Sequence, residues 1–177
     1  MSTLMQLDTV NLFVGDADPD KSEYLALKGF KIPSLEENTK EHKPGGGVVG
    51  FKIGMRSINA LSFSFSLEGI NPGPMNKFMT TRRENYTFRG NMTNVRTQED
   101  IPVLGVVHGR MTKIETSEFK KDDGVGMDYE INEVVRYRLV IGREEKYFFD
   151  AFGGPGAIRI DGKSLFRNVA RNIGLGV

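Results

Sequence analysis

Ile58-Asn59-Ala60-Leu61-Ser62-Phe63-Ser64-Phe65-Ser66-Leu67-Glu68 is the stretch that decides the fold. Leu61, Phe63, Phe65 and Leu67 alternate with Ser62, Ser64, Ser66 and Glu68. A period of two marks a β-strand with one oily face and one wet face. The wet face is a row of small hydroxyls, which stays solvated without gripping anything.

The same alternation recurs on both sides of this stretch. Upstream, Val10-Asn11-Leu12-Phe13-Val14 reads as a short strand stopped by Gly15-Asp16-Ala17-Asp18-Pro19-Asp20, and residues 24–32 read as a second strand ended by Pro33. Residues 48–69 form a long strand region with a bend or bulge expected near Gly54. Asn71-Pro72-Gly73-Pro74 breaks it, and a short helix is predicted over 75–83 with Met75, Phe78 and Met79 on one side. Residues 85–92 and 103–115 are strands, the latter with Val103, Val107 and Met111 opposite His108, Arg110 and Thr112. In 129–141, Ile131, Val135, Tyr137, Leu139 and Ile141 oppose Glu130, Asn132, Arg136 and Arg138. A hairpin turn at Gly142-Arg143-Glu144-Glu145 leads into 146–152. The chain closes with Ser164 as a helix N-cap, apolar residues at helical spacing and Gly174 as the stop. No internal repeat or domain boundary is visible, so residues 1–177 are expected to form a single domain.

Composition narrows the function. With 177 residues the chain can bury one substantial core, and 21 Gly with few long helical patterns favours a mostly β domain. Lys+Arg 24 against Asp+Glu 23 gives a formal charge of +1, which argues against a dedicated nucleic-acid binder, since such proteins carry a basic footprint. The absence of Cys removes disulfides and thiolate metal sites. The first residues lack a basic n-region and a long apolar stretch, and no apolar run approaches the ~20 residues of a membrane-spanning helix. The expectation is a soluble protein made in a cytoplasm, without a membrane anchor.

Candidate chemistry is sparse. Asp161-Gly162-Lys163-Ser164 resembles the end of a phosphate-binding loop, but the Gly that the pattern needs at 157 is Ala, and a turn followed by a helix start accounts for the segment. His42 and His108 have no ligands at metal spacing beside them. Glu36-Glu37, Asp122-Asp123 and Glu144-Glu145 fall in expected turns, with Asp122-Asp123 kept open as a weak cation site. Ser62, Ser64 and Ser66 have no base in their sequence context. The reading is a non-enzyme with no cofactor, no metal and no catalytic residue.

Residues 36–47, Glu-Glu-Asn-Thr-Lys-Glu-His-Lys-Pro-Gly-Gly-Gly, contain no apolar side chain. A loop of that length in a compact domain is usually functional or disordered. Lys40, Glu41, His42, Lys43, Pro44, Gly45 and Gly46 are therefore expected to form a polar arm that reaches a neighbouring subunit. Long amphipathic strands also expose edges that must be closed, covered or paired. Both features point to an assembling protein.

The order of motifs then resembles a known family. Val10-Asn11-Leu12-Phe13-Val14-Gly15-Asp16 is followed by Lys31-Ile32-Pro33-Ser34-Leu35, Gly45-Gly46-Gly47, Ser66-Leu67-Glu68-Gly69 and Arg89-Gly90. Gly109-Arg110-Met111-Thr112-Lys113-Ile114-Glu115 and the ending Arg171-Asn172-Ile173-Gly174-Leu175 complete it. Together these look like the major tail tube protein of contractile-tailed phages and R-type pyocins. The resemblance implies a β-sandwich or half-barrel with one or two short flanking helices. Six copies would form a ring whose inner sheets join into one continuous barrel, and rings would stack into the tube of a virion tail assembled in the host bacterial cytoplasm. Residues 24–33, 57–69, 103–114 and 129–141 would form the inner sheet, with Ser62, Ser64, Ser66 and Glu68 facing the lumen. Partners implied are further copies of the chain, the tail sheath, the tape-measure protein and baseplate and tail-terminator proteins. DNA would be present only in transit. Arg136 and Arg138 would conflict with a non-sticky lumen unless they pair with a neighbour's acids or the strand turns them elsewhere. The related tube of type VI secretion and a monomeric β-barrel binding module are the alternatives.

Overall fold

The computed structural model describes residues 3–16, 18–121 and 124–175. The pair Asp122-Asp123 lies outside them. Among the described residues the chain builds a nine-stranded sheet that folds over on itself, together with a separate two-stranded hairpin.

The strands of the large sheet are β1 (Met5–Val14), β2 (Leu27–Lys31), β5 (Phe63–Glu68), β6 (Glu84–Asn94), β7 (Asp100–Thr116), β8 (Gly126–Ile141), β9 (Glu144–Asp150), β10 (Arg159–Ile160) and β11 (Lys163–Ser164). The hairpin is β3 (Glu37–His42) with β4 (Phe51–Ile58), and the helices are α1 (Pro72–Met75) and α2 (Arg167–Asn172). All pairings between these strands are antiparallel.

The sheet becomes a sandwich because β7 and β8 bend. Between the pairs His108–Arg136 and Arg110–Asn132 the register slips by two residues on β8, where Glu133 takes a positive φ of 51°. A bulge of this kind raises local twist and redirects the strand. The slip is even, so alternation survives it: Ile131 and Tyr137 are both in the core. Before the bend, β8 pairs with β5, which pairs with β2; after it, β8 pairs with β9. The first half-sheet is thus β2–β5–β8–β7, and the second is β1–β6–β7–β8–β9–β10–β11.

The alternation read in residues 58–68 sets the core. Phe63, Phe65 and Leu67 are 1%, 1% and 0% exposed. They face Tyr86 and Phe88 of the opposite half-sheet: the Phe63 and Phe88 rings stack at 6.1 Å and Phe65 lies 6.3 Å from Tyr86. Val103, Val107 and Met111 are buried on the expected face of β7. Apolar area removed from water at about 25 cal/mol per Å² is the main stabilising term. Phe88 packs directly on Gly105, where a Cβ would fall 1.9 Å from the ring.

Several sequence expectations are corrected. Residues 36–47 are not a strandless loop: 37–42 form β3, paired with β4. The polar sequence of β3 has no face to bury, so hydrophobic periodicity carries no trace of it; its ladder is supplied by β4. The strand region 48–69 is two strands in different sheets, parted at 59–62. The expected irregularity near Gly54 is a bulge between Glu37–Ile58 and Thr39–Gly54, with Arg56 at φ 54° and its N–H held by Glu37 Oε1 at 2.8 Å. The helix expected over 75–83 does not form: the one helical turn here, α1, lies on Pro72–Met75, the segment read as a breaker, with the Asn71 side chain accepting from Gly73 N–H at 3.1 Å. The left-handed backbone at Met79, φ 53°, is incompatible with a continuing helix. Ser164 caps no helix: it sits in β11 and its hydroxyl donates to the Gly156 carbonyl at 2.9 Å. The last helix starts at Arg167 instead, and Gly174, with φ 80°, stands just past its end as expected.

Candidate functional site: a hydroxyl-lined sheet face and a projecting hairpin

The outward face of the first half-sheet carries the Ser row. Alternation along β5 sends Phe63, Phe65 and Leu67 inward, so Ser64, Ser66 and Glu68 point out, with Ser62 just ahead of the strand. Register then places neighbours around the hydroxyls. Lys31 and Glu130 flank Ser64, Gly29 and Asp128 flank Ser66, and Lys113 stands beside Glu130. Ser66 donates its hydroxyl to Asp128. Lys113 is paired to Glu115 at 2.6 Å, and Asn132 donates to Thr112 Oγ1 at 2.8 Å and to Glu130 Oε1 at 3.1 Å. The hydrogen bond and charge of Glu115 raise the Lys113 pKa, so that group stays cationic.

This face carries both signs of charge in near balance, with Glu68, Glu115, Glu118, Asp128 and Glu130 among Lys28, Lys31, Lys113 and Lys120. Its cross-strand members escaped sequence reasoning. Glu130 was legible as a wet-face residue of its own strand, but its place beside Ser64 depends on a register that only the folded sheet fixes.

Arg136 and Arg138 do not share this face. They lie beyond the Glu133 bulge, on the outer surface of the second half-sheet, because Tyr137 and Leu139 take the core side there. Each has an acid on β9: Arg136 meets Asp150 at 2.8 Å, and Arg138 meets Glu145 at 3.0 Å. Arg159 also reaches Glu145 at 2.8 Å while lying 3.8 Å over the Phe148 ring. The hydrogen bond from Arg159, opposed by partial burial and reinforced by Arg138, holds the Glu145 carboxyl below its ordinary value. His108 sits on the same surface with Nδ1 2.9 Å from Asn85 Oδ1. Burial first, then the Arg136 and Arg83 charges, lower its pKa.

The edges of the first half-sheet are open. Among the described residues β2 pairs only with β5, and β7 beyond Gly109 has β8 on one side and a single bridge, Phe78 to Met111, on the other. Unpaired N–H and C=O groups along such edges are ready to extend a sheet.

The arm residues stand apart from this face. Lys40, Glu41 and His42 belong to β3, while Lys43, Pro44, Gly45 and Gly46 make the turn to β4. No strand of the large sheet pairs with this hairpin, and every residue from 36 to 57 is exposed. The Lys43 ammonium lies 3.3 Å from Glu41, and the His42 ring meets Phe51 edge-on at 5.4 Å. Val48, Val49, Phe51, Ile53 and Met55 remain exposed, an apolar stripe that a polar-loop reading overlooks.

The phosphate-loop resemblance dissolves in the structure. Asp161 and Gly162, with φ 53° and 71°, form the turn of the β10–β11 hairpin, and no helix begins at Ser164. Among the described residues no cluster of His, Asp or Glu could hold a metal ion, and no helix is long and apolar enough to cross a membrane.

The site is thus an open-edged sheet face with a projecting hairpin. Residues 6–174 match the family model of phage tail tube protein FII, and the chain belongs to that family. Its role is that of a structural tail tube protein. No curated protein sequence matches it. Among solved structures, it is similar to a chain of the sheath/tube terminator of an extracellular contractile injection system, PVC, in the extended state. That match has a TM-score of 0.52 at 15% identity and covers 77% of this chain and 94% of the other. It is also similar to a chain of the six-fold symmetrised baseplate of the anti-feeding prophage, with TM-score 0.55, 14% identity and coverage of 79% and 97%. A chain of the extended PVC sheath–tube complex gives 0.51, 15%, 75% and 88%. At these identities the structures speak for the fold.

Proposed function

We propose that this chain is the repeating subunit of the inner tube of a contractile phage tail, with residues 1–177 as one tail tube domain. Six copies form a ring, rings stack, and the hollow tube is the conduit for the tape-measure protein and for DNA on ejection. The observation that carries this reading is a hydroxyl-lined outer sheet face, centred on Ser62, Ser64, Ser66 and Glu68, between the open edges β2 and β7. Pairing β2 of one copy with β7 of the next would remove both edges and turn the Ser face of each subunit toward a shared lumen. The acids around Lys31 and Lys113 leave no net positive charge there, so DNA phosphates would release few counterions on contact and would slide. The hairpin carrying Lys40, Glu41, His42, Lys43, Pro44, Gly45 and Gly46 is the inter-subunit arm. The sheath meets the outer surface, including α2, and baseplate and terminator proteins cap the tube ends. The particle is assembled in the host bacterial cytoplasm.

The likeness to extracellular contractile injection systems keeps a second conduit in view, a tube for protein effectors. Genome neighbours separate the two, because a DNA-delivering tail needs head and packaging genes beside its sheath and tape measure.

The lumen assignment is tested by adding positive charge to this face. Ser62, Ser64 and Ser66 each replaced by Lys should still give tubes, while DNA release from reconstituted particles slows severalfold and regains speed with added salt. Release at the unmodified rate would place the Ser row elsewhere.

A further inference from the structure

Lys31 closes β2 at an open edge of the Ser face, and among the described residues no acid pairs with its ammonium. Strand pairing sorts this face into rows. One row runs Lys31, Ser64, Glu130, Lys113 across β2, β5, β8 and β7, and the next runs Gly29, Ser66, Asp128, Glu115. At the far side of the second row the Glu115 carboxylate is 62% exposed. Lys113 occupies its Oε2 at 2.6 Å, which leaves Oε1 for a second cation. The β7 edge is bounded at both ends: Phe78 bridges it at Met111, and the strand stops at Thr116.

We propose that β2 of one copy joins β7 of the next in a single register, with Lys31 opposite Glu115 as an ion pair between subunits. The inference rests on the tube reading and fixes how its open edges meet. The four strands β2, β5, β8 and β7 alternate in direction, and ring symmetry keeps every β2 pointing the same way, so the junction is antiparallel. Side chains alternate, so only an even stagger makes one Ser face continuous with the next. No stagger sets Lys31 opposite Lys113, a like-charge pair, and denies the barrel the shear that closure demands. A stagger of two in one direction carries Lys31 to Thr112 and Met111, where β7 bulges and Phe78 already holds the edge. A stagger of four in the other direction runs Lys31 past the end of β7. Two in that direction sets it opposite Glu115.

The other face of the sheet agrees with this register. It places Ile32 opposite Ile114, and both are apolar residues packed against the core. The ion pair itself is exposed, so it adds little affinity. Its work is selection: opposite charges fit one register, and the repulsion of Lys31 by Lys113 disfavours the neighbouring one. Backbone pairing along the edges supplies the adhesion.

The absence of Cys makes the register readable. Residues directly opposite on antiparallel strands lie within reach of a disulfide, and residues two places off do not. Lys31, Lys113 and Glu115 are exposed, so the fold accepts cysteine at each. Oxidised tubes of K31C/E115C should give a ladder of covalent oligomers that ends at the ring, and K31C/K113C should give none. An equal or stronger ladder from K31C/K113C, or tubes by electron microscopy with neither ladder, would overturn the register and leave the tube reading standing. A wild-type chain that stays monomeric with its baseplate present would overturn both. Charge reversal decides the matter should the cysteines block assembly. K31E should keep the wild-type circular dichroism and raise severalfold the protein concentration needed for tubes. K31E/E115K should restore it, and K31E/E68K, which has the same net charge, should not. Normal tubes from K31E, or equal rescue by the two double variants, would overturn the pair.

Discussion

Gly105 and Phe88 sit opposite one another across β6 and β7, and the ring occupies the space a side chain at 105 would need. A methyl there must displace a ring that is itself stacked on Phe63. Gly105→Ala should therefore cost about 1–3 kcal/mol by overpacking, read as a lower denaturant midpoint with an unchanged slope. An unchanged midpoint would mean the ring moves freely. Glu145 offers a residue-scale test of electrostatics. Its folded-state pKa is depressed below the ordinary 4.5, chiefly by the Arg159 hydrogen bond. An acid depressed on folding gives stability that is full above its unfolded pKa and is lost as pH falls through the folded value. Stability should thus fall as pH drops from about 4.5, and Glu145→Gln should flatten that part of the curve while costing about 1–3 kcal/mol at neutral pH. Parallel stability–pH curves for the two proteins would refute the assignment.

At the level of elements, the hairpin is the informative case. It stands off the large sheet, and an isolated two-stranded hairpin is marginal in water. Removing residues 40–46 should leave the sandwich folded, with its thermal midpoint nearly unmoved, while ring closure or stacking is impaired. Normal tubes from that deletion would show the arm to be dispensable. The hairpin also marks the limit of what the sequence makes legible. Phe63, Phe65, Leu67, Val103, Val107, Met111 and Tyr137 could be assigned to the core because alternation along one strand is a local signal. β3 could not, because its ladder lies with β4 and none of its side chains is buried. The destination of Arg136 and Arg138 was equally hidden: it depends on an even register slip at Glu133, a residue whose left-handed backbone no local pattern announces. The Ser row was visible, but the charges beside it, Lys31, Lys113 and Asp128, reach it only through strand pairing.

At the scale of the whole molecule, an open sheet, an uncovered hairpin and a hydroxyl face are the features that the proposed ring would bring together. The lone chain leaves the β2 edge, the far edge of β7 and the apolar stripe of β4 exposed to water, a combination that invites association. Family membership gives the kind of assembly, a phage tail tube. The account's central claim is that this face lines its lumen. Electron cryomicroscopy of tubes grown from the purified chain, nucleated with its baseplate where needed, tests that most directly. The account predicts stacked six-fold rings with Ser62, Ser64, Ser66 and Glu68 on the inner wall and β2 paired to a neighbour's β7. Tubes with the Ser row on the outside, or a chain that stays monomeric with its baseplate present, would contradict it.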